Sequence, residues 1–111
     1  MRKALTCAAA ALALLASPLA AQASAAARSE LYTTNCASCH GEDGKARTDE
    51  GKKRKARDLT SRKWQDSATD ARITSSITKG YDRMPAFGKK LSAAEISSLA
   101  AEVRTIGGAK K

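Results

Sequence analysis

The chain has little of what usually builds a core or a chemical site. Its aromatic residues are one tryptophan, two tyrosines and one phenylalanine, namely Trp64, Tyr32, Tyr81 and Phe87. With 111 residues and so few large rings, it buries little apolar surface by itself. A single histidine, His40, and two prolines, Pro18 and Pro85, complete a sparse inventory. Three cysteines, Cys7, Cys36 and Cys39, are too few for a disulfide framework. No apolar run reaches the ~20 residues that a spanning helix needs. There is no strand-like alternation and no internal repeat. Neither a proton-transfer pair nor a nucleophile constellation can be read from the chain, so it is not expected to be an enzyme by itself.

The first residues carry an export pattern. Arg2 and Lys3 give a positive start, Ala8 to Ala16 is an apolar run, and Ser17-Pro18 breaks it. Ala21-Gln22-Ala23 and Ala23-Ser24-Ala25 both offer small-residue cleavage sites. Residues 1–23 are therefore expected to be a cleaved secretory signal, with 25 as the alternative boundary. Removing 23 of 111 residues leaves one domain of 88, spanning 24–111, in the periplasm. Cys7 and Met1 depart with the signal, so Cys36, Cys39 and Met84 hold all the remaining sulfur.

What the chain does have is Cys36-Ala37-Ser38-Cys39-His40. Two thiols three residues apart can each add to a vinyl group of one haem, giving two thioether bonds. The histidine next to the second thiol can then supply an axial nitrogen to the iron. A structural zinc site needs four ligands, and the motif offers three with no further Cys or His to complete them. A thioredoxin-like pair needs a βαβ context, which is missing. A simple Cys36–Cys39 disulfide would leave His40 without a role. Covalent haem also provides the apolar mass that the short chain lacks.

Around the motif the pattern is helical. A first helix is expected from about Ala25 to Ala37, followed by a polar, glycine-punctuated loop from Gly41 to about Lys63. A second helix is expected over Thr69 to Lys79, capped by Ser67 or Thr69, with Ile73 and Ile77 on one face and Gly80 ending it. Ser92-Ala93-Ala94-Glu95 is a capping box opening a last helix, whose stripe is Ile96, Leu99, Val103 and Ile106 before Gly107-Gly108. Between these helices lies a turn-rich loop with Met84-Pro85, 44 residues beyond His40. Pro85 biases Met84 toward extended backbone. A soft thioether there suits the second axial position and favours reduced iron.

These features together resemble a small class I monohaem cytochrome c: an export signal, Cys-x-x-Cys-His, Gly80-x-x-x-Met84-Pro85-Ala86-Phe87 and a capped last helix. The resemblance implies an all-α fold in which the N- and C-terminal helices cross and loops wrap the haem. It also implies haem c held through Cys36 and Cys39, with His40 and Met84 as axial ligands. Two departures stand out. Arg28 occupies the position where the family places a glycine, and Glu102 the position of the aromatic that crosses it. Arg28 and Glu102 are therefore expected to pair across the helix crossing. The family proline that accepts a hydrogen bond from the axial histidine is also missing, so a carbonyl between Gly44 and Ala56, or water, is expected to replace it. Trp64, Arg57 and Thr60 offer an indole N–H, a guanidinium and a hydroxyl as candidate contacts to the haem propionates.

The formal net charge is +9, and loss of Arg2 and Lys3 leaves about +7 before the haem carboxylates are counted. Much of it lies between Lys45 and Lys63, centred on Lys52-Lys53-Arg54-Lys55. The run carries no stacking aromatics and no recognition motif, which argues against nucleic acid. It suits steering toward a redox protein with an acidic docking surface. The expected function is a periplasmic one-electron carrier, a monomer or part of a redox complex. Two alternatives stay open: a haem subunit bound permanently to an oxidoreductase, and a ligand sensor in which Met84 leaves the iron.

Overall fold

The computed structural model describes residues 27–108; the expected signal at 1–23 lies outside them. Among the described residues the chain forms α1 (Glu30–Asn35), α2 (Ala37–His40), α3 (Asp49–Arg54), α4 (Arg62–Ser67), α5 (Asp70–Lys79) and α6 (Ala93–Ile106). No strand occurs there, only an isolated antiparallel bridge between Tyr81 and Met84. None of these helices is long and apolar enough to cross a membrane.

Four of the helices have six residues or fewer, well below the ~12–15 at which a helix begins to support itself. Side-chain caps hold three of these, α1, α3 and α4, and the two longer helices are capped in the same way. Ser29, Thr48, Ser61, Thr69 and Ser92 each accept from a backbone N–H in the first turn of α1, α3, α4, α5 and α6. At α6 the expected box is complete, with Glu95 Oε1 accepting from Ser92 N at 2.9 Å and Ser92 Oγ from Glu95 N at 3.1 Å.

The core joins Tyr32 of α1, Ile73 and Ile77 of α5, and Ile96, Leu99, Ala100 and Val103 of α6 with Leu59, Ala68 and Phe87. Helix α6 packs against both α1 and α5, so the two ends of the domain meet as expected. Buried Gln65 ties the layers together. Its Nε2 donates to Leu59 O at 2.8 Å and Val103 O at 2.9 Å. Its Oε1 accepts from Arg104 Nη1 at 3.0 Å, and the same guanidinium reaches Gln65 O, Ala68 O and Asp70 Oδ1.

Three expectations change. The first helix starts only at Glu30 and stops at Asn35. Ser29 is extended at φ −60° and ψ 153°, and Cys36 leaves helical geometry at φ −120°. Arg28 and Glu102 do not pair. The Glu102 carboxylate accepts from Ser29 N at 2.8 Å and Ser29 Oγ at 2.5 Å, while Arg28 Nε donates to Glu42 O at 2.9 Å. The neighbouring α1 cap, with a backbone and a hydroxyl donor, thus outcompetes the longer and more solvated arginine. The stretch expected as loop from Gly41 to Lys63 contains α3 and the start of α4. Helix α3 reads Asp-Glu-Gly-Lys-Lys-Arg, with no apolar side chain to mark a buried face, so its periodicity is silent.

Candidate functional site

Helix α2 carries the thiols and the imidazole, and its surroundings fix it closely. Cys36 and Cys39 are free, half-buried thiols. Fully buried Tyr32 donates its hydroxyl to Gly41 O at 2.7 Å, pinning the end of the helix to the core. Thr48 Oγ1 lies 2.7 Å from Ser38 O and 3.1 Å from Cys39 O while accepting from Gly51 N at 2.9 Å. A hydroxyl from α3 therefore serves the carbonyls that end α2. Gly51 stacks so closely there that a Cβ would run into the Cys39 carbonyl.

His40 Nδ1 donates to Arg57 O at 2.9 Å. That bond assigns the proton to Nδ1 and leaves the Nε2 lone pair available for a metal. The acceptor is thus a backbone carbonyl as expected, but at Arg57, one residue beyond the Gly44–Ala56 window. Burial pushes the His40 pKa below the usual imidazole value, and the Arg57 carbonyl opposes it. The neutral ring, the form that ligates, is favoured. The Cys36 thiol is raised to about 11, chiefly by burial, with Glu102 and Cys39 adding to it.

Met84 arrives from a tight turn. Met84 N donates to Tyr81 O at 2.8 Å and Tyr81 N to Met84 O at 3.2 Å, with Asp82 between them in the left-handed region at φ 52°. Gly80, at φ 77°, ends α5, and a Cβ there would lie 2.7 Å from Met84 O. Phe87 N and Gly88 N then donate to Ile77 O and Thr78 O, docking the loop back on α5. The glycine and the turn together set the height at which Met84 faces the interior.

Two adjoining cavities share Cys36, His40, Arg57, Tyr81 and Met84 in their walls. The inner one is apolar, formed by Tyr32, Leu59, Ile73, Ile77, Leu99 and Val103 with Trp64. The outer one opens past Cys39, Glu50, Arg54, Arg83 and Phe87. The donor set in these walls is two thiols, one imidazole and one thioether around an apolar slot. It fits a flat, covalently held metalloporphyrin.

The expected propionate contacts are sorted less evenly. Arg57 and Trp64 line the inner cavity and also an outer pocket with Ser61, Lys63 and Ser67. Thr60 lines neither, because its hydroxyl and amide both donate to Asp58 Oδ1, at 2.6 and 2.8 Å. Arg72 was not legible as a site residue, yet it lines both spaces and stands over the Tyr81 ring at 5.8 Å. It stands beside Ile73 and one turn before Ser76 in the same wall, and no sequence signal singled it out.

A helical fold closed around such a slot defines a c-type cytochrome domain. The family of Cytochrome C oxidase, cbb3-type, subunit III matches residues 23–101, and the chain belongs to this cytochrome c family. It is 40% identical over 80 residues to the cbb3-type cytochrome c oxidase subunit FixP of Azorhizobium caulinodans, covering 71% of this chain and 26% of that protein. The chain thus spans about a quarter of the length of that relative. Cytochrome c6 of Microcystis aeruginosa is 40% identical over 70 residues, covering 63% of this chain and 82% of that one. Among solved structures, the KustC0563 c-type cytochrome matches with a TM-score of 0.62 and 36% identity, over 73% of this chain and 94% of that one. Family members bind haem c covalently, and the one Cys-x-x-Cys-His motif here provides for one haem.

Proposed function

We propose that the chain is an exported one-electron carrier with a single haem c, attached through Cys36 and Cys39 and ligated by His40 and Met84. The observation that carries this reading is the common wall of the two cavities, where Cys36, His40 and Met84 meet. When bound, the haem iron supplies the one-electron redox couple. The protein's own work is orientation and exclusion. Arg57 O holds the His40 tautomer, the Tyr81–Met84 bridge aims the thioether, and the apolar inner wall keeps water from the ring. With His40 and Met84 both ligating, the bound iron would have no position left for a substrate. Arg57, Trp64 and Arg72 are the proposed propionate partners, since they line both the inner cavity and the outer pocket. The acceptor or donor would be a redox protein with an acidic surface beside its own centre.

A second reading has a specific observation behind it: the relatives include subunits of the cbb3 oxidase. In that reading the chain is a haem domain bound permanently to a larger complex. The test is to produce the full chain with a working haem-maturation system in a periplasm and extract it under denaturing conditions. Haem should stay with the chain, and Cys36→Ala combined with Cys39→Ala should release it. Haem lost from the unaltered chain on extraction would overturn the reading. Gel filtration of native periplasmic extract then separates the two forms, since a free carrier elutes at the size of one small domain.

A further inference from the structure

The basic run from Lys52 to Lys55 is not simply a solvated face. Helix α3 ends where Lys55 turns left-handed at φ 54°, and this leaves carbonyls of the last turn without helical partners. One of them, Lys53 O, accepts from Arg83 Nη1 at 3.0 Å. In return Arg54 Nη1 donates to Arg83 O at 3.2 Å, while Arg54 Nε is fixed by Glu50 Oε1 at 2.5 Å. Glu50, Arg54, Arg83 and Met84 all line the outer cavity, so these reciprocal bonds cross its mouth. Arg83 is the residue directly before Met84. At its other end α3 is seated on α2 through Thr48 and Gly51. A continuous chain of contacts therefore runs from the Cys39-His40 helix through α3 to the Met84 loop, and cations at the C-terminal end of α3 are favoured by its dipole.

We propose that Arg54 and Arg83 form a strap that clamps the Met84 loop to α3 and limits how often the Met84 sulfur leaves the iron. They are positioning residues, acting through the loop, and the inference rests on Met84 being an axial ligand. Loss of one such bond lowers the closed-to-open ratio of the loop about fivefold.

The test uses the ferric holoprotein and its Arg54→Ala, Arg83→Ala and Lys52→Ala variants. Lys52 lies on the same helix and carries the same charge, but its side chain makes neither contact. At saturating free imidazole, the uptake rate reports opening of the loop. It should rise about fivefold in Arg54→Ala and Arg83→Ala and stay at the wild-type value in Lys52→Ala. Hydrogen exchange at the Met84 amide should accelerate in the same two variants only. Equal behaviour of all three variants in both measurements would overturn the strap. The sulfur-to-ferric-iron charge-transfer band of the unaltered protein judges Met84 ligation separately. If that band is missing, the ligation reading falls, and amide exchange alone decides whether the strap holds the loop.

Discussion

At the scale of single residues, buried polar groups with full sets of partners hold the domain together. Gln65 is the clearest, 4% exposed, with both ends of its amide engaged. Gln65→Leu keeps the volume but strands the Leu59 carbonyl and removes one of the four acceptors of the Arg104 guanidinium. It should cost about 1–3 kcal/mol in denaturant unfolding of the holoprotein. Arg104→Ala should cost a similar amount, and Arg104→Lys should recover only part of it, because an ammonium cannot span Gln65, Ala68 and Asp70 together. None of this network shows in the sequence, where Gln65 lies in a polar stretch and Arg104 reads as surface. The thiols, the imidazole and the thioether were legible because each residue type is so scarce that few assignments remained. Thr60, expected among the propionate contacts, lines neither the inner cavity nor the pocket beside it for a local reason: a nearer carboxylate takes its hydroxyl. That bond is the first cause holding the Asp58 carboxyl below the usual range, with the Thr60 amide, Arg47 and Lys45 helping against burial. A lowered carboxyl pKa stabilises the fold above the ordinary carboxylate value, and the benefit is lost as pH falls through the lowered one. Thr60→Val should therefore move the Asp58 titration, followed by its carboxyl chemical shift, up toward the ordinary carboxylate range.

Among the elements, α3 is the one on which the site depends most. Gly51 is the buried residue of α3, and Cys39 O lies where its Cβ would go. In an open helix, Gly→Ala would stabilise by about 1 kcal/mol. Here the steric conflict reverses the sign, because relief requires α3 to lift away from α2. Gly51→Ala should destabilise the holoprotein by about 1–3 kcal/mol and lower the haem content of purified protein. Unchanged thermal unfolding and haem content would contradict this placement of α3. The contrast with α6 explains what could be read in advance. Helix α6 has a capping box and an apolar stripe, of which Ile96, Leu99 and Val103 are buried and Ile106 is half-buried. Helix α3 has no stripe, since its inner face is a glycine lying on a carbonyl. Periodicity reports side chains entering a core; it is silent where backbone meets backbone.

For the whole molecule, the all-α architecture and the meeting of the first and last helices followed from pattern and resemblance. The part that helix α3 takes in closing the slot did not. The positive balance of the chain places cations around the mouth of that slot, at Arg54, Lys55, Arg57 and Arg83. Electron transfer with an acidic partner should accordingly slow as ionic strength rises, since screening weakens attraction over a Debye length of about 8–10 Å. A rate independent of salt would remove the steering role. The central claim is a haem held covalently and saturated on both faces by His40 and Met84. Optical spectra of the periplasmic holoprotein and its Met84→Ala variant, in ferric, ferrous and carbon-monoxide-treated forms, test it most directly. The account predicts a sulfur-to-ferric-iron charge-transfer band and no carbon monoxide shift in the unaltered protein, with the band lost and the shift gained in the variant. An unaltered protein without that band, or one that binds carbon monoxide readily, would contradict it.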